Sequence, residues 1–208
     1  MELTEFQELV HLVATPVMIV LYTVRLVILM RHRLVRDKSP DAKGDLKKGV
    51  LDAFFTLVMP WKMESTRKHW TQYVEFMAFH LGLLFAISLA YLITYIPGMF
   101  IQPVVNLFMF FIIVGLIAGI VRFIRRLSLP ELKIISSFDD YLSLFLVLLF
   151  KATGVLSLMG IVWGSYAYFA IVGIFLIYAP FSKIHHYLYY PFARFFYGSE
   201  LSRRGISG

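Results

Sequence analysis

The sequence predicts an all-α membrane protein: a five-transmembrane-helix bundle with its N-terminus outside and its C-terminus cytoplasmic, a single membrane domain over residues 1–208. Four observations carry this. Of the 208 residues, 59% are hydrophobic, above the roughly 45–50% usual for soluble domains. The apolar residues fall in five runs, about 9–30, 70–95, 103–123, 139–158 and 161–184, each near the about 20 residues that a helix needs to cross a hydrocarbon core. Strand-like alternation is absent, which argues against a β-barrel. The basic residues, finally, cluster at the helix ends that alternation puts on one side of the bilayer.

The first run follows Glu2, Glu5 and Glu8 and is closed by Arg25, Arg31, His32 and Arg33. A cleaved signal peptide carries its positive charge before the apolar stretch, so this order predicts a retained first helix. A polar linker follows over Arg36–Lys48, with Ser39-Pro40 and Gly44. Within 50–61, Leu51, Phe54, Phe55 and Val58 share one helical face and Asp52 breaks the other. That pattern suits an amphipathic segment in the interface or a loop packed under the bundle. The second helix starts near His69-Trp70 and ends at Tyr95, where Pro97-Gly98 make a turn. Pro103 opens the third as a first-turn proline. Ser136-Ser137 with Asp139-Asp140 open the fourth as cap and dipole complement. Its exit, Ser157–Gly160, is tight. The fifth helix meets Pro180, and the tail 187–208 is aromatic and basic, as an interfacial belt requires.

There are 20 Lys and Arg against 13 Asp and Glu. The cations concentrate in Arg31–Lys48, Lys62–Lys68, Arg122–Lys133 and Arg194–Arg204, and the connections around Pro97–Gln102 and Met159–Ile161 carry none. This distribution marks the cytoplasmic side and suits a lipid membrane with anionic headgroups; it does not point to nucleic acid. With no cysteine, the chain cannot build a disulfide, a zinc–thiolate site or a Cys-ligated iron–sulfur cluster. No inverted repeat or mid-span Gly/Pro break suggests a transporter.

The histidines are the chemical signal. His80 lies inside the second run, and His186 follows Pro180-Phe181-Ser182-Lys183. An imidazole at membrane depth marks a functional site by default. Haem b in a helical bundle takes two axial imidazoles at matching depth. His80, ten residues past Trp70, sits about 15 Å in at 1.5 Å per residue; His186 sits at the inner end of the fifth helix. The depths match if that helix continues past Pro180 or the ring reaches inward, which places the haem in the inner half. The alternative for His80 is a neutral imidazole bonded to a neighbouring helix. His185 and His186 point about 100° apart, so one of them faces the second helix, and His185 is the alternative ligand. His32 and His69 sit among cations as solvated groups. His11 sits at the outer end of the first helix and is a minor candidate for ligation there.

Phe79-His80-Leu81-Gly82 and Pro180-Phe181-Ser182-Lys183-Ile184-His185-His186, with Asp140 and Thr153-Gly154, together resemble the cytochrome b (gamma) subunit family of respiratory nitrate reductase. Its relatives include the membrane cytochrome b subunits of heterodisulfide reductase and of sulfite-reduction-associated complexes. The family pattern, Pro-Phe-Ser-Arg/Lys, two residues, then His, selects His186. The resemblance implies a membrane-anchoring b-type cytochrome subunit of a prokaryotic inner-membrane complex. It would pass electrons between a quinone (menaquinone) pool and a cytoplasmic iron–sulfur oxidoreductase subunit docked on the basic inner face. A haem-free anchor that shapes a quinone pocket is the alternative. The family's second haem uses histidines at positions occupied here by Ala90 and Tyr168, so the resemblance implies one haem, held by His80 and His186. Arg122, Arg125 and Lys183 are candidates for its propionates. Lys151, in the outer half of the fourth helix, either fills the space of the missing haem, contacting a quinone or passing protons, or snorkels outward. Glu75 either serves proton transfer to quinone or pairs with a cation at the interface.

Overall fold

The computed structural model describes residues 2–31 and 44–205. His32, Arg33 and the linker with Ser39-Pro40 lie outside them. Among the described residues the chain is helical and contains no strand. The α-helices are α1 (Leu3–Arg31), α2 (Leu46–Phe55), α3 (Glu64–Lys68), α4 (Trp70–Tyr95), α5 (Gln102–Ser128), α6 (Pro130–Ile135), α7 (Phe138–Leu158), α8 (Val162–Tyr178) and α9 (His186–Arg203). Four of them, α1, α4, α5 and α7, are long and apolar enough to cross a membrane. The pair α8 and α9 adds a fifth span if it is taken as one broken span.

Local chemistry accounts for the boundaries. Glu2 N–H donates to Glu5 Oε2 at 3.0 Å, and the acidic first turn complements the helix dipole; α1 therefore begins six residues before the apolar run. At the start of α7, Ser137 and Asp140 form a reciprocal capping box: Ser137 N–H and Oγ both lie 2.8 Å from Asp140 Oδ2. Its C-terminus closes through Gly160 at φ 74°, with Ile161 N–H donating to Leu156 O at 3.1 Å, the left-handed stop that glycine permits.

One expectation is corrected. The fifth helix does not continue to residue 184. α8 stops at Tyr178, and Pro180 brings no N–H with which to extend the ladder. Phe181 and Ser182 N–H instead turn back to Tyr178 O at 2.9 and 3.2 Å.

The chain forms two compact units, Met1–Leu21 with Val74–Lys183 and Tyr22–Tyr73 with Ile184–Gly208. In the first, Ala86, Leu89 and Ala90 of α4, Ile112 of α5, Phe150 of α7 and Tyr168 of α8 lie in one buried cluster. Lipid is as apolar as leucine, so such helices are held by close packing and interhelical hydrogen bonds. Gly82 of α4 and Gly115 of α5 meet there: a Cβ on Gly82 would lie 2.6 Å from Gly115 Cα. In the second unit α2 packs on α9. The buried residues of α2 are Gly49 and Ala53, whereas Leu51, Phe55 and Val58 are about half exposed. The segment is thus a helix whose small-residue face packs, with Leu51 and Phe55 left open and Phe54 set edge-on against Tyr190, 6.2 Å between ring centres.

Candidate functional site

One turn of α4 gathers most of the residues that the sequence singles out. His80 is half-buried, its ring 4.1 Å from that of Phe76 and 5.3 Å from that of Phe79. Its Nδ1 lies 2.8 Å from Phe76 O. A carbonyl only accepts, so Nδ1 carries the proton and Nε2 is the basic nitrogen. This is the arrangement by which a backbone carbonyl fixes the tautomer of a metal-ligating histidine.

Phe79, which precedes it, receives two cations. Lys151 Nζ stands 3.7 Å from its ring centre and the Arg122 guanidinium 4.9 Å. Lys151 is fully buried, and its ammonium donates to Phe79 O at 2.9 Å and Gly115 O at 3.0 Å. It neither snorkels outward nor reaches the space expected of an outer haem. Helical side chains lean towards the N-terminal end of their helix, which carries the amine back to the level of Phe79. Enclosed in this way it bridges α4, α5 and α7 and offers no face to a quinone.

Glu75, also on α4, takes the Arg122 Nε at 3.2 Å and the Arg125 Nη1 at 2.6 Å. Lys183 Nζ meets Asp140 at 2.5 Å, and Arg126 meets the same carboxylate at 3.0 Å. The Lys183 backbone N–H donates to Asp139 Oδ2 at 2.8 Å, and Tyr178 Oη donates to Asp139 Oδ1. The Pro180–Lys183 break is therefore clamped to the acidic first turn of α7. All three cations expected at haem propionates are engaged by carboxylates of the chain itself.

The two positions at which the resemblance would place a second haem's histidines, Ala90 and Tyr168, are filled. Ala90 is 2% exposed and Tyr168 fully buried. The Tyr168 ring stacks on Phe150 with centres 5.2 Å apart and planes 5° apart, and its hydroxyl donates to Ala86 O at 2.5 Å. His11 Nε2 donates to Ala90 O at 3.1 Å, and its ring sits against Tyr91, 4.6 Å between centres. Since Nε2 holds the proton, Nδ1 is the acceptor; that atom is buried without a partner. An outer haem does not fit these residues.

His185 and His186 lie in the second unit. His185 ends a 3₁₀ turn from Lys183 and packs edge-on against Tyr189 at 5.0 Å; His186 is the first residue of α9 and is exposed. Sequence patterns do not single out Gly115, and they give Phe79 only as a motif neighbour of His80 and Asp139 only as a helix-opening acid; the contacts of all three come from neighbours on other helices. Comparison of the chain with known protein families, with curated proteins and with solved structures finds no match.

Proposed function

We propose that the chain is the membrane-anchoring b-type cytochrome subunit of a quinone-linked respiratory oxidoreductase complex in a prokaryotic inner membrane. Five spans run from an outer N-terminus to a cytoplasmic C-terminus in this reading. His80 and His186 hold a single haem b near the cytoplasmic side. Electrons pass between a menaquinone-type pool and a cytoplasmic iron–sulfur subunit docked on the basic face. The haem, when bound, supplies one-electron transfer, and two imidazoles leave the iron no open position.

The observation that carries the reading is the Phe76 carbonyl on His80 Nδ1. It presents Nε2 as the basic nitrogen of a ring held within an apolar helix, and such a hydrogen bond raises the ligand's basicity. Support for the partner ligand is the Pro180–His186 sequence pattern. The filled positions Ala90 and Tyr168 favour one haem over two.

A second reading has its own observation. Arg122, Arg125 and Lys183 are satisfied by Glu75 and Asp140 without any propionate, which favours a haem-free anchor of the same kind of complex. A dithionite-reduced minus oxidised spectrum of the purified protein, with pyridine haemochrome quantitation, separates the two. One b haem per chain, lost in His80→Ala and His186→Ala and kept in His185→Ala, is the expected result. A wild-type protein without b bands leaves the anchor.

A further inference from the structure

Helix α2 turns two faces to different surroundings. Gly49 and Ala53 are its buried residues, and α9 comes close there: a Cβ on Gly198 would lie 2.6 Å from Gly49 O and 3.0 Å from Ala53 Cβ. At about 100° per residue, Lys47, Lys48, Leu51 and Phe55 fall together on the opposite side. All four are exposed, Leu51 by 47% and Phe55 by 52%. Cations and large apolar side chains therefore share one open face, and the helix itself puts them there. Two other lysines of the unit are held by carboxylates, Lys62 by Asp52 at 2.9 Å and Lys68 by Glu64 at 2.6 Å. Among the described residues Lys47 and Lys48 form no such pair; Asp45 is the N-cap and accepts from the Lys48 N–H at 3.2 Å.

Chain connectivity names the surface that this face meets. α2 lies between α1, which ends at Arg31, and α4, which begins at Trp70, and both are long and apolar enough to cross a membrane. A helix tethered between two spans stays at the bilayer surface. Trp61, 64% exposed in the same connection, is of the residue type that settles at headgroup depth. A basic amphipathic helix binds such a surface by sinking its apolar side chains into the acyl boundary while its lysines meet anionic headgroups.

We infer that α2 docks on anionic phospholipid, with Leu51 and Phe55 in the acyl boundary and Lys47 and Lys48 on lipid phosphates. This docking requires the membrane spans but no haem, so a loss of b bands and a loss of docking are separate results. The chain has no cysteine, so Leu51→Cys or Phe55→Cys carries a single nitroxide in the full protein, reconstituted into nanodiscs. In phosphatidylcholine containing phosphatidylglycerol, the label is expected to meet oxygen and to be shielded from a water-soluble nickel complex. In pure phosphatidylcholine the shielding is expected to fall. Lys47→Gln and Lys48→Gln, at exposed positions, each lower the ratio of shielded to unshielded label about fivefold, the effect of one cation at an anionic surface. Equal shielding in pure phosphatidylcholine, or shielding unchanged when both lysines are replaced, overturns the anionic partner. Labels open to nickel in both lipids overturn the docking itself, as does dipolar broadening between labels, which would put a second copy of the chain on this face.

Discussion

Lys151 donates to the backbone carbonyl of Phe79 at 2.9 Å while standing 3.7 Å from the centre of that residue's ring. One side chain thus satisfies a cation twice on a single residue of another helix, with Gly115 O supplying the third contact at 3.0 Å. The magnitudes nearly cancel. A lysine at membrane depth costs about 3 kcal/mol. Interhelical hydrogen bonds in membranes return about 0.6 kcal/mol each, and a desolvated cation–π contact about 2 kcal/mol. The two carbonyls also belong to α-helices, whose own ladders engage them. Lys151→Met is therefore expected to unfold within about 1 kcal/mol of the wild type in detergent. Lys151→Ala, which leaves a cavity, is expected to lose about 2–5 kcal/mol. Thermal unfolding of both variants checks this; a Met variant as damaged as the Ala variant shows that the charge, not the volume, holds the three helices.

The Gly82–Gly115 approach leaves no room for a methyl group. The nearest atoms to a Cβ on Gly82 are backbone, 2.6 Å from both Gly115 Cα and Phe111 O, and backbone cannot swing aside as a side-chain tip does. Gly82→Ala should separate α4 from α5 at about 1–3 kcal/mol. It should also lengthen the Lys151 contact with Gly115 O, so its effect and that of Lys151→Met should fall short of additive. Additive unfolding shifts in the double variant would separate the crossing from the lysine.

Some of this was legible in the sequence, and the reasons differ residue by residue. The all-helical class and the limits of α4 followed from run length, because lipid allows few other backbone solutions. The Ser137–Asp140 cap is a local signal, carried within four residues, and it stands as expected. The end of α8 was not legible to the residue: Pro180 announces a break, but the turn that places it depends on Asp139 and Asp140, more than 40 residues away in the chain. The direction of Lys151 was undecidable for the same reason. Which of two outcomes a buried lysine takes is set by the carbonyls opposite it, on α4 and α5, and no local pattern encodes them. Glu75 shows the intermediate case: pairing with a cation was one of two readings, and its partners Arg122 and Arg125 sit on another helix.

That Glu75 pair makes the third prediction. Its carboxylate is 14% exposed and its two guanidinium partners about one-third exposed, so water screens the arginines more than the acid. Removing the carboxylate's charge leaves two cations facing each other near the membrane boundary. Glu75→Gln is expected to cost about 1–2 kcal/mol, below the 3–5 kcal/mol or so of a fully buried pair. Adding Arg125→Gln should restore part of the loss by removing the repulsion. Unfolding midpoints at low and high salt measure it. A loss that salt enlarges contradicts the electrostatic account, because screening should relieve the two arginines.

The last prediction concerns Ala90 and Tyr168, the positions at which the resemblance would place a second haem's histidines. Restoring histidines at both positions, Ala90→His with Tyr168→His, supplies the missing ligand types but not the space. Tyr168 is fully buried, stacked on Phe150 and bonded to Ala86 O; Ala90 is 2% exposed and its carbonyl already takes His11. A porphyrin would have to displace Phe150, Leu89 and Phe169, all members of the same buried cluster. An imidazole at Ala90 also overpacks a closed core, at about 1–3 kcal/mol. The double variant is therefore expected to be less stable and to gain no haem by pyridine haemochrome. If it gains one, the cluster around Tyr168 is a collapsed haem pocket and not a packed core.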